Sequence, residues 1–469
     1  MMVVAGNQSR GESEMIGTAK HQEAVRRLQR SYDVIAPGSP VRLAKRTSNL
    51  FRPRDALATS GLDVSGLDGV ISLDRLARTA DVQGMCTYED LVDATLPHGL
   101  IPLVVPQLRT ITLGGAVTGL GIESTSFRSG LPHESVLEMD IFTGAGEIVT
   151  ATADNEYADL FATFPNSYGS LGYATRLRIE LEPVRSHVAL RHVHFTGTAA
   201  LSQAIATVTE TGEWAGQHVD AMDGTAFEPG DYSLTLAAWT DAPAGEGSDY
   251  VGQQIYWRSI RERETDLLTT YDYLWRWDTD WFWCSQAFGA QNKYVRRIWP
   301  RRLRRSDTYH RLVGLDRRFA IMDRLDRRAG RPQRERVIQD VEVPVERLGE
   351  FLDWFDDAVG MRPVWLCPLR LRDDHLWPSY PLRPGHTYVN VGFWGAVPVG
   401  EDAPNSPLNR AIEDKVAELE GHKSLYSESF YDPATFDRLY DGANLGAVKK
   451  RYDPDERLTS LYDKAVRQR

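Results

Sequence analysis

The stretch that decides the fold is Thr112-Leu-Gly-Gly-Ala-Val-Thr-Gly-Leu-Gly-Ile-Glu-Ser-Thr-Ser126, which places four glycines within eight residues. Glycines at this spacing let backbone amides approach a pyrophosphate group without obstruction by a Cβ atom. The stretch is not a Rossmann fingerprint, because no strand–glycine–helix unit with an acidic residue about twenty positions on is evident, and no P-loop GK[ST] follows. A glycine-rich turn between strands is the alternative that needs no ligand.

Three other segments around this stretch indicate a phosphate site. Upstream, a polar loop at residues 44–50 can offer amides and hydroxyls to phosphate oxygens. The loop residues that we assign to this role are Arg46, Thr47, Ser48 and Asn49. Downstream, the Ser167–Gly172 turn leads into an alternating strand at Ala174–Leu181, and a Tyr-Asp-Pro element follows at Tyr452.

The apolar pattern predicts an α+β protein in several parts. Residues 1–18 are a polar tail, residues 19–185 a first α+β unit, residues 186–425 a second α+β unit, and residues 426–469 a C-terminal segment. Helices are predicted at His21–Tyr32, from Tyr88 after a Thr87 cap, and at Leu348–Val359. Strands are predicted at Val70–Leu73, Thr79–Met85, Val136–Thr143, Glu147–Thr152, Val188–Phe195, Tyr232–Trp239, Val337–Val343 and Tyr388–Phe393.

Composition excludes several classes of protein. The chain of 469 residues is 42% hydrophobic and 25% charged with a net charge of −11, which excludes disordered, collagen-like and coiled-coil proteins and suggests roughly two or three domains. Cys86, Cys284 and Cys367 are too widely spaced for a disulfide framework or a metal knuckle, so we expect a reducing, cytoplasmic compartment and no metal. Neither a signal peptide nor a membrane-spanning run is evident.

Charge and aromatic residues are concentrated in residues 271–336. Residues 271–283 hold seven aromatic residues, and residues 293–336 hold 16 Lys and Arg against 5 Asp and Glu. Rings beside cations suit a membrane–water interface with anionic lipid, so this segment is a candidate for peripheral membrane binding. The alternative is that the rings form domain core or a pocket wall and that the charges cover a solvated helix. Nucleic acid is not expected, because the rest of the chain is acidic and carries no reader motif.

The order of these motifs resembles the FAD-binding family typified by vanillyl-alcohol oxidase. The glycine stretch, Arg362–Pro368, Tyr388–Gly395 and the region Ser424–Tyr440 look like its Δ24-sterol reductase branch over roughly residues 20–469. The resemblance implies a two-part FAD-binding domain, a separate α+β substrate (cap) domain and a C-terminal segment that closes the flavin site. The sterol enzyme's N-terminal membrane helix has no counterpart here, which argues against a copied sterol function.

The resemblance also implies which residues contact FAD. The glycine stretch would contact the diphosphate and ribityl chain, and the Gly-Ser-Leu-Gly turn would approach the flavin. The residues so assigned are Thr112, Gly114, Gly115, Gly119, Gly121, Ile122, Glu123, Ser124, Ser126, Gly169, Ser170, Gly172 and Tyr452. Since residues 44–50 contain no histidine, we expect the FAD to be held without a covalent bond.

Reduction of an isolated alkene requires a positioned acid and a dry site. The side chains that we weigh for catalysis are Glu123, Tyr388, Asn390, Tyr426 and Lys449, with His386 and Glu428 as further candidate acids. Tyr388 and Asn390 would face one side of a strand, whereas Lys449 would place positive charge near the flavin. Glu123 is also a candidate turn cap, and Trp365 and Trp394 are candidate pocket walls.

Bacterial members of the resembling branch include reductases that saturate a 10-methylene fatty acyl chain to the 10-methyl, tuberculostearic type. We therefore expect an FAD-dependent reductase of an unconjugated lipid C=C bond, with NADPH as donor and a phospholipid-bound acyl chain as substrate. It would act at the inner face of the membrane, with a lipid methyltransferase as a functional partner. The alternatives are a sterol or terpenoid side-chain reductase, an alcohol or sugar oxidase, and a flavin-free lipid-binding protein.

Overall fold

The computed structural model describes residues 15–45, 51, 61–243, 245–319, 332–400 and 403–467. Residues 1–14 of the polar tail therefore lie outside the described residues. The same holds for the phosphate-loop predictions at Arg46, Thr47, Ser48 and Asn49. Residues 17 and 18, which we predict as tail, instead begin the first helix, Gly17–Asp33, whose buried residues include Ala24 and Leu28.

A six-stranded antiparallel sheet is built from residues 70–183. Its strands are β1 (Val70–Asp74), β2 (Thr79–Gln83), β3 (Leu100–Pro102), β4 (Val136–Phe142), β5 (Ile148–Ala151) and β6 (Tyr173–Pro183). They follow the order β1-β2-β6-β4-β5, and β3 also pairs with β6. The alternation predicted for the central strand is confirmed: Leu177 and Ile179 are buried in the core, while Arg176 on the other face pairs with Asp81 and Asp140.

Short helices connect these strands and bring the glycine stretch to the sheet. They are Tyr88–Thr95, Leu113–Thr118, Ser126–Ser129 and Ala158–Thr163, with 3-10 turns at Leu96–His98 and Pro132–Ser135. The predicted cap is confirmed, because the Thr87 Oγ1 atom accepts the Asp90 N–H bond at 3.1 Å. Such a cap satisfies one of the free N–H groups at the start of a helix.

An eight-stranded antiparallel sheet is built from residues 187–423. Its strands are β7 (His187–Phe195), β10 (Ala221–Glu228), β11 (Asp231–Thr240), β12 (Thr265–Thr269), β13 (Arg334–Pro344), β14 (Val364–Leu369), β15 (Tyr388–Pro398) and β16 (His422–Lys423), beside a small ribbon of β8 (Glu213–Trp214) and β9 (Gln217–His218). They follow the order β12-β7-β11-β10-β14-β15-β13-β16. The chain thus passes from one sheet to the other between residues 183 and 187.

The two faces of this second sheet differ in chemistry. One face is apolar, with Val341 and Val391 in a core that also contains Leu201, Phe351 and Ile412 of the covering helices. Those helices are Thr198–Thr211, Leu348–Ala358 and Pro407–Glu418. Because side chains alternate along a strand, the intervening residues of β10, β13 and β15 lie on the opposite face, where apolar residues are joined by the polar residues Asp223, Asp340, Glu342 and Asn390. We call this opposite face the polar face.

The aromatic segment packs over the polar face. It contains the helices Tyr256–Glu262, Thr270–Leu274, Lys293–Ile298 and Ser306–Phe319, with 3-10 turns at Cys284–Phe288 and Arg301–Leu303. Of the seven rings at 271–283, five are buried and Tyr271 and Trp283 are half-buried. The prediction that these rings meet a membrane is therefore wrong, since they form core, as our alternative reading held.

The C-terminal helices Pro433–Leu439, Gly442–Tyr452 and Leu461–Ala465 return to the first sheet. The Lys464 ammonium donates to the carbonyl oxygen of Tyr168 at 3.0 Å, and the backbone N–H of Ala145 donates to Tyr452. The end of the chain therefore packs against the part that carries the glycine stretch. Among the described residues, no helix is long and apolar enough to cross a membrane.

Candidate active site

The glycine stretch forms a short helix, Leu113–Thr118, that is fixed to its own chain. The N–H groups of Leu113 and Gly114 donate to the carbonyl oxygens of Cys86 and Gly84, and that of Gly115 donates to Thr112 Oγ1 at 3.2 Å. A Cβ atom on Gly114 would lie 2.6 Å from the Gly84 oxygen, which is closer than any side chain tolerates. Gly114 is needed for this close packing, and Gly115 is exposed.

The turn at residues 166–172 lies against this helix and is conformationally unusual. The Tyr168 N–H group donates to the carbonyl oxygen of Thr118 at 2.5 Å. Asn166, Tyr168 and Gly169 have φ angles of 60°, 50° and 74°, and Gly172 one of 137°. Left-handed backbone at a residue as large as tyrosine costs on the order of 1–3 kcal/mol and is typical of functional sites. The Tyr168 hydroxyl, which accepts the Leu425 N–H bond at 3.1 Å, helps to hold this conformation.

The same turn carries polar atoms that are suited to a ligand. Among the described residues, the side-chain amide of Asn166 and the hydroxyls of Ser167 and Ser170 are buried and have no hydrogen-bond partner. Buried polar groups are normally satisfied, so such a set calls for an explanation. FAD carries many hydrogen-bond donors and acceptors and would satisfy these atoms. The unpartnered atoms of the turn therefore fit FAD as a ligand.

The glycine stretch continues into a buried ionic cluster. Glu123 Oε1 lies 2.9 Å from Arg276 Nη2, which is also 3.2 Å from Asp223 Oδ2. Asp223 Oδ2 in turn accepts hydrogen bonds from Trp277 Nε1 and Trp365 Nε1. Burial raises the pKa of Glu123, against the opposing influence of Arg276. Glu123 thus holds a guanidinium group, and hydrogen bonds from the backbone and side chain of Ser124 also oppose the rise of its pKa. We call Glu123, Arg276 and Asp223 the Arg276 cluster.

A second cluster lies on the polar face between β13 and β15. Asn390 Nδ2 donates to Asp340 Oδ1 at 3.3 Å, and Trp394 Nε1 donates to the Tyr426 hydroxyl at 2.9 Å. The Tyr426 hydroxyl also hydrogen-bonds with the Asp340 carboxyl. This bond lowers the pKa of Asp340 and raises the pKa of Tyr426. Asn390 is fully buried, whereas Asp340, Tyr426 and Trp394 keep part of their surface accessible. We call Asp340, Asn390 and Tyr426 the Asp340 cluster.

The Asp340 cluster holds an acid in its protonated range. Burial raises the pKa of Asp340 to about 7, although the hydrogen bonds from Asn390 and Tyr426 oppose the shift. Glu342, two residues along the same face, is fully buried, and burial also raises its pKa, with the nearby Tyr380 hydroxyl opposing and Asp340 adding to the shift. Two adjacent carboxyls in one apolar environment cannot readily both ionise, so this site can store a proton at neutral pH.

Cys367 lies between the two clusters. Cys367 in β14 is paired with Asn390 in β15, and charged groups of both clusters affect the pKa of its thiol. Burial is the main cause that raises the pKa of this thiol, and the same holds for Cys86. Both sulfurs therefore stay protonated near neutral pH and are poor nucleophiles.

Aromatic rings close the space beside the Asp340 cluster. The Phe282 ring lies 4.4 Å from that of Trp394 and 5.5 Å from that of Trp365, measured between centroids. Trp281 and Phe282 have left-handed φ angles of 46° and 58°, so the backbone is strained where the rings enter. Trp365 and Trp394 thus lie near the same ring, and the indole N–H group of each is hydrogen-bonded to a cluster residue, whereas their role as pocket walls stays a prediction.

The remaining predicted catalytic residues lie elsewhere. The Lys449 ammonium is held by Ser170 O, Leu458 O and Asp453 Oδ2, so it fixes the turn at residues 169–172 and its role toward the flavin stays a prediction. Tyr388 shares the strand face of Asn390, but its hydroxyl accepts from Arg383. The Tyr452 hydroxyl donates to Asp159 at 2.7 Å.

The other assigned residues of the glycine stretch and the last two candidate acids are placed as follows. Gly119 and Gly121 are packed against Tyr168 and against two prolines, Ile122 and Ser124 are buried, and Ser126 Oγ accepts the Glu123 N–H bond. His386 is exposed in a turn and Glu428 is half-buried. None of these positions overturns or establishes a contact with FAD.

Sequence reasoning missed Asp340, Glu342, Arg276 and Asp223. Asp340 and Glu342 lie in the predicted strand Val337–Val343, whereas Asp223 lies in β10, which the sequence analysis did not predict. Asp340 and Glu342 alternate with Val341 and Val343 in β13, and that alternation is the signal that could have identified them. An acidic residue at an inward position of a buried strand is rare unless it has a function. Arg276 carried no such signal, because it lies among aromatic residues in a segment whose sequence shows neither the period of a helix nor that of a strand.

Comparison with known proteins identifies part of this architecture. Residues 22–152 match the model of a family described as an FAD binding domain. The chain is 24% identical over 445 residues to the Δ24-sterol reductase of Arabidopsis thaliana, covering 87% of this chain and 77% of that protein. It is 23% identical over 423 residues to the Δ24-sterol reductase of Homo sapiens, covering 84% of this chain and 75% of that protein.

A shorter similarity concerns a dehydrogenase. Over 108 residues the chain is 40% identical to cytokinin dehydrogenase 6 of Oryza sativa, which covers 23% of this chain and 20% of that protein. The FAD binding domain contains the glycine stretch, and the orphaned polar atoms of the 166–170 turn lie against it. The chain is therefore an FAD-dependent oxidoreductase related to the Δ24-sterol reductases.

Proposed function

We propose that this protein reduces an unconjugated C=C bond in a lipid, with FAD as cofactor and NADPH as electron donor. The observation that carries the proposal is the Asp340 cluster, a carboxyl group on the polar face that is hydrogen-bonded to Asn390 and has aromatic rings beside it. The relatedness to Δ24-sterol reductases supports the same reaction class. The NADPH donor is supported by this relatedness alone.

The chain's own part in such a reaction is to supply a proton. Bound FAD, once reduced, supplies hydride. An isolated alkene accepts hydride poorly, so a proton must reach one carbon as the hydride reaches the other. Asp340 is suited to give that proton, because its pKa of about 7 keeps about half of the carboxyl groups protonated at neutral pH, where an ordinary aspartate is ionised. Asn390 and Tyr426 orient its carboxyl through hydrogen bonds.

The surroundings of the cluster suit a cationic transition state. Protonation of a branched alkene places positive charge on the tertiary carbon, and water would trap that charge. The rings of Phe282, Trp365 and Trp394 exclude water from one side, and ring faces stabilise a passing cation. The proton, the charge and the apolar chain can thus be accommodated by residues that already lie together.

For the substrate we propose the 10-methylene fatty acyl chain of a phospholipid, which is reduced to the 10-methyl form. A lipid methyltransferase is then the functional partner, because a methylene branch has to be added before it can be saturated. The alternative substrate is a sterol or terpenoid side chain, and the Δ24-sterol reductases favour it. An alcohol or sugar oxidase with the same fold is a third candidate, which the partial likeness to cytokinin dehydrogenase 6 keeps open.

The test separates the two halves of the reaction. Purified protein is mixed anaerobically with NADPH, and flavin absorbance is followed; we expect the bands to bleach. Phospholipid with 10-methylene acyl chains, or a Δ24 sterol, is then added, and the bands should return with the lipid that is reduced. Bands that persist with NADPH would overturn the donor, and bands that return with neither lipid would overturn the substrate class.

A pair of variants tests the acid. Asp340→Asn should bleach with NADPH as the unchanged protein does, because that half needs no acid, but its reoxidation by alkene should slow by about 10²-fold or more. The control is Asp357→Asn, which lies exposed on the helix covering the opposite face of the same sheet. Equal reoxidation rates for both variants would remove Asp340 from the mechanism and leave the flavin chemistry standing.

A further inference from the structure

A basic and apolar surface patch lies at the outer edge of the aromatic segment. It comprises Lys293, Tyr294, Arg297, Ile298, Arg302 and Leu303, all of them exposed. Tyr294, Ile298 and Leu303 are 70%, 82% and 38% exposed. The described residues contain seven exposed large apolar side chains, and three of the seven lie between residues 294 and 303. Such clustering marks an interaction surface, since single exposed apolar residues are ordinary.

The geometry of the patch alternates charge with apolar surface. Tyr294 and Ile298 stand four residues apart in the helix Lys293–Ile298, so they share one face, and Lys293 and Arg297 do so beside them. Lys293 Nζ lies 5.0 Å from the centre of the Tyr294 ring. Arg301 also lies here but is paired with Asp249 at 2.8 Å. The patch therefore presents apolar side chains with cations around them.

Two buried arginines hold the patch rigid. Arg296 pairs with Asp280 at 2.6 Å and donates to the carbonyl oxygens of Tyr250 and Gly252. Arg304 donates to the carbonyl oxygens of Gly252 and Trp299. Both guanidinium groups are buried and support the exposed residues from below. Because the surface is already ordered, binding to it pays little conformational entropy.

We propose that this patch docks the protein onto an anionic phospholipid bilayer. Lys293, Arg297 and Arg302 are exposed cations of this patch in a chain whose net charge is −11, so an anionic surface is attracted to the patch. Exposed Tyr294, Ile298 and Leu303 can enter the headgroup region, where tyrosine and aliphatic side chains gain contact with lipid. Nucleic acid offers the same negative charge but no apolar layer for Ile298, so a bilayer fits the whole patch.

The patch is connected to the candidate active site, so docking would bring that site close to the lipid. Asp280, which pairs with Arg296, directly precedes Trp281 and Phe282, and Phe282 packs on Trp394 beside the Asp340 cluster. The patch is thus joined to the wall of the candidate active site through a few contiguous side chains. That use rests on the proposed lipid substrate, whereas the docking itself is measured without turnover.

The experiment is sedimentation of the holoprotein with vesicles of phosphatidylcholine, alone or with phosphatidylglycerol, at low and high salt. We expect binding only to the vesicles with phosphatidylglycerol, and weaker binding as salt rises. The double variant Arg297→Glu/Ile298→Asp should lower the partition coefficient by at least about tenfold, because it reverses one charge and removes an inserted side chain. The matched control is Arg75→Glu/Leu76→Asp, an exposed Arg–Leu pair in the turn between β1 and β2, which should bind unchanged.

Each outcome decides the proposal. Loss of vesicle binding in the patch variant alone, with flavin content and thermal midpoint retained, supports it. Equal loss in both variants, or no binding of the unchanged protein at low salt, overturns it. Salt-sensitive binding to a duplex oligonucleotide without binding to vesicles would assign the patch to nucleic acid instead. Reduction of a detergent-solubilised substrate by the patch variant at an undiminished rate separates failed docking from failed chemistry.

Discussion

Asp340 links catalysis to pH through a single carboxyl group. Its pKa of about 7 in the folded protein lies above the ordinary 3.8, so the rate of alkene reduction should fall as pH rises above 7. The fall should approach tenfold per pH unit, and Asp340→Asn should abolish it. The measurement is the rate of flavin reoxidation by alkene at a series of pH values. A profile that is the same in the Asn variant would contradict the assignment.

The same carboxyl group makes a separate prediction about stability. Between pH 4 and 7 the folded protein holds a proton on Asp340 that the unfolded chain has released, so this group's contribution to stability declines as pH rises through that range. Asp340→Asn removes the decline, and the variant should gain roughly 4 kcal/mol relative to the unchanged protein between pH 4 and pH 8. Urea unfolding at the two pH values measures the gain. A difference that does not change with pH would contradict the raised pKa.

Arg276 neutralises two buried carboxyls, and its removal should leave both without compensation. We expect Arg276→Met to lower the free energy of unfolding by about 3–5 kcal/mol, as is usual for breaking a buried ion pair. Adding Glu123→Gln and Asp223→Asn to this variant should restore at least half of that loss, because the stranded charges are then gone. Arg26→Met, in an exposed pair with Glu23, is the control and should show little change.

At the scale of the element, the helix Leu113–Thr118 should tolerate no side chain at Gly114. A Cβ atom there would lie 2.6 Å from the Gly84 oxygen, so Gly114→Ala should destabilise the protein by about 1–3 kcal/mol and lower flavin retention. Gly446 in the helix Gly442–Tyr452 is the matched control, since a Cβ atom there meets nothing within 4 Å. Gly446→Ala should stabilise by about 0.4–1 kcal/mol, measured by urea unfolding.

The elements differ in how well the sequence predicts them. The strand at residues 173–183 and the Thr87 cap follow from local pattern, because alternation and capping act over a few neighbouring residues. The link between Glu123 and Arg276 joins positions 153 residues apart, and no local pattern encodes it. Likewise, the aromatic residues at 271–283 have the composition of an interface and of a core alike. These residues are buried because they pack over the polar face, and a tertiary contact of this kind cannot be predicted from the local sequence.

At the scale of the whole molecule, contacts tie the two sheets into one structure. Arg109 binds Glu89 at 3.0 Å on the first part and Asp278 at 3.2 Å on the second, and Ser124 bonds Tyr273 at 2.9 Å. FAD held beside these contacts would bind only the assembled form. Adding FAD to stripped protein at 100 times its Kd should raise the free energy of unfolding by about 2.7 kcal/mol. Calorimetry should show one transition that moves as a whole, and two transitions of which one moves would contradict the shared site.

The return of the C-terminal helices bears on how the protein is made. Arg457 lies over the Tyr32 ring at 4.3 Å and donates to the carbonyl oxygen of Ser39, while Lys449 and Lys464 hold the turn at residues 168–170. The ribosome synthesises these residues after the second sheet, so the flavin region stays incomplete until that sheet has been made. Chains released before about residue 440 would be expected to leave the ribosome unable to retain flavin, however complete their cofactor domain is in sequence.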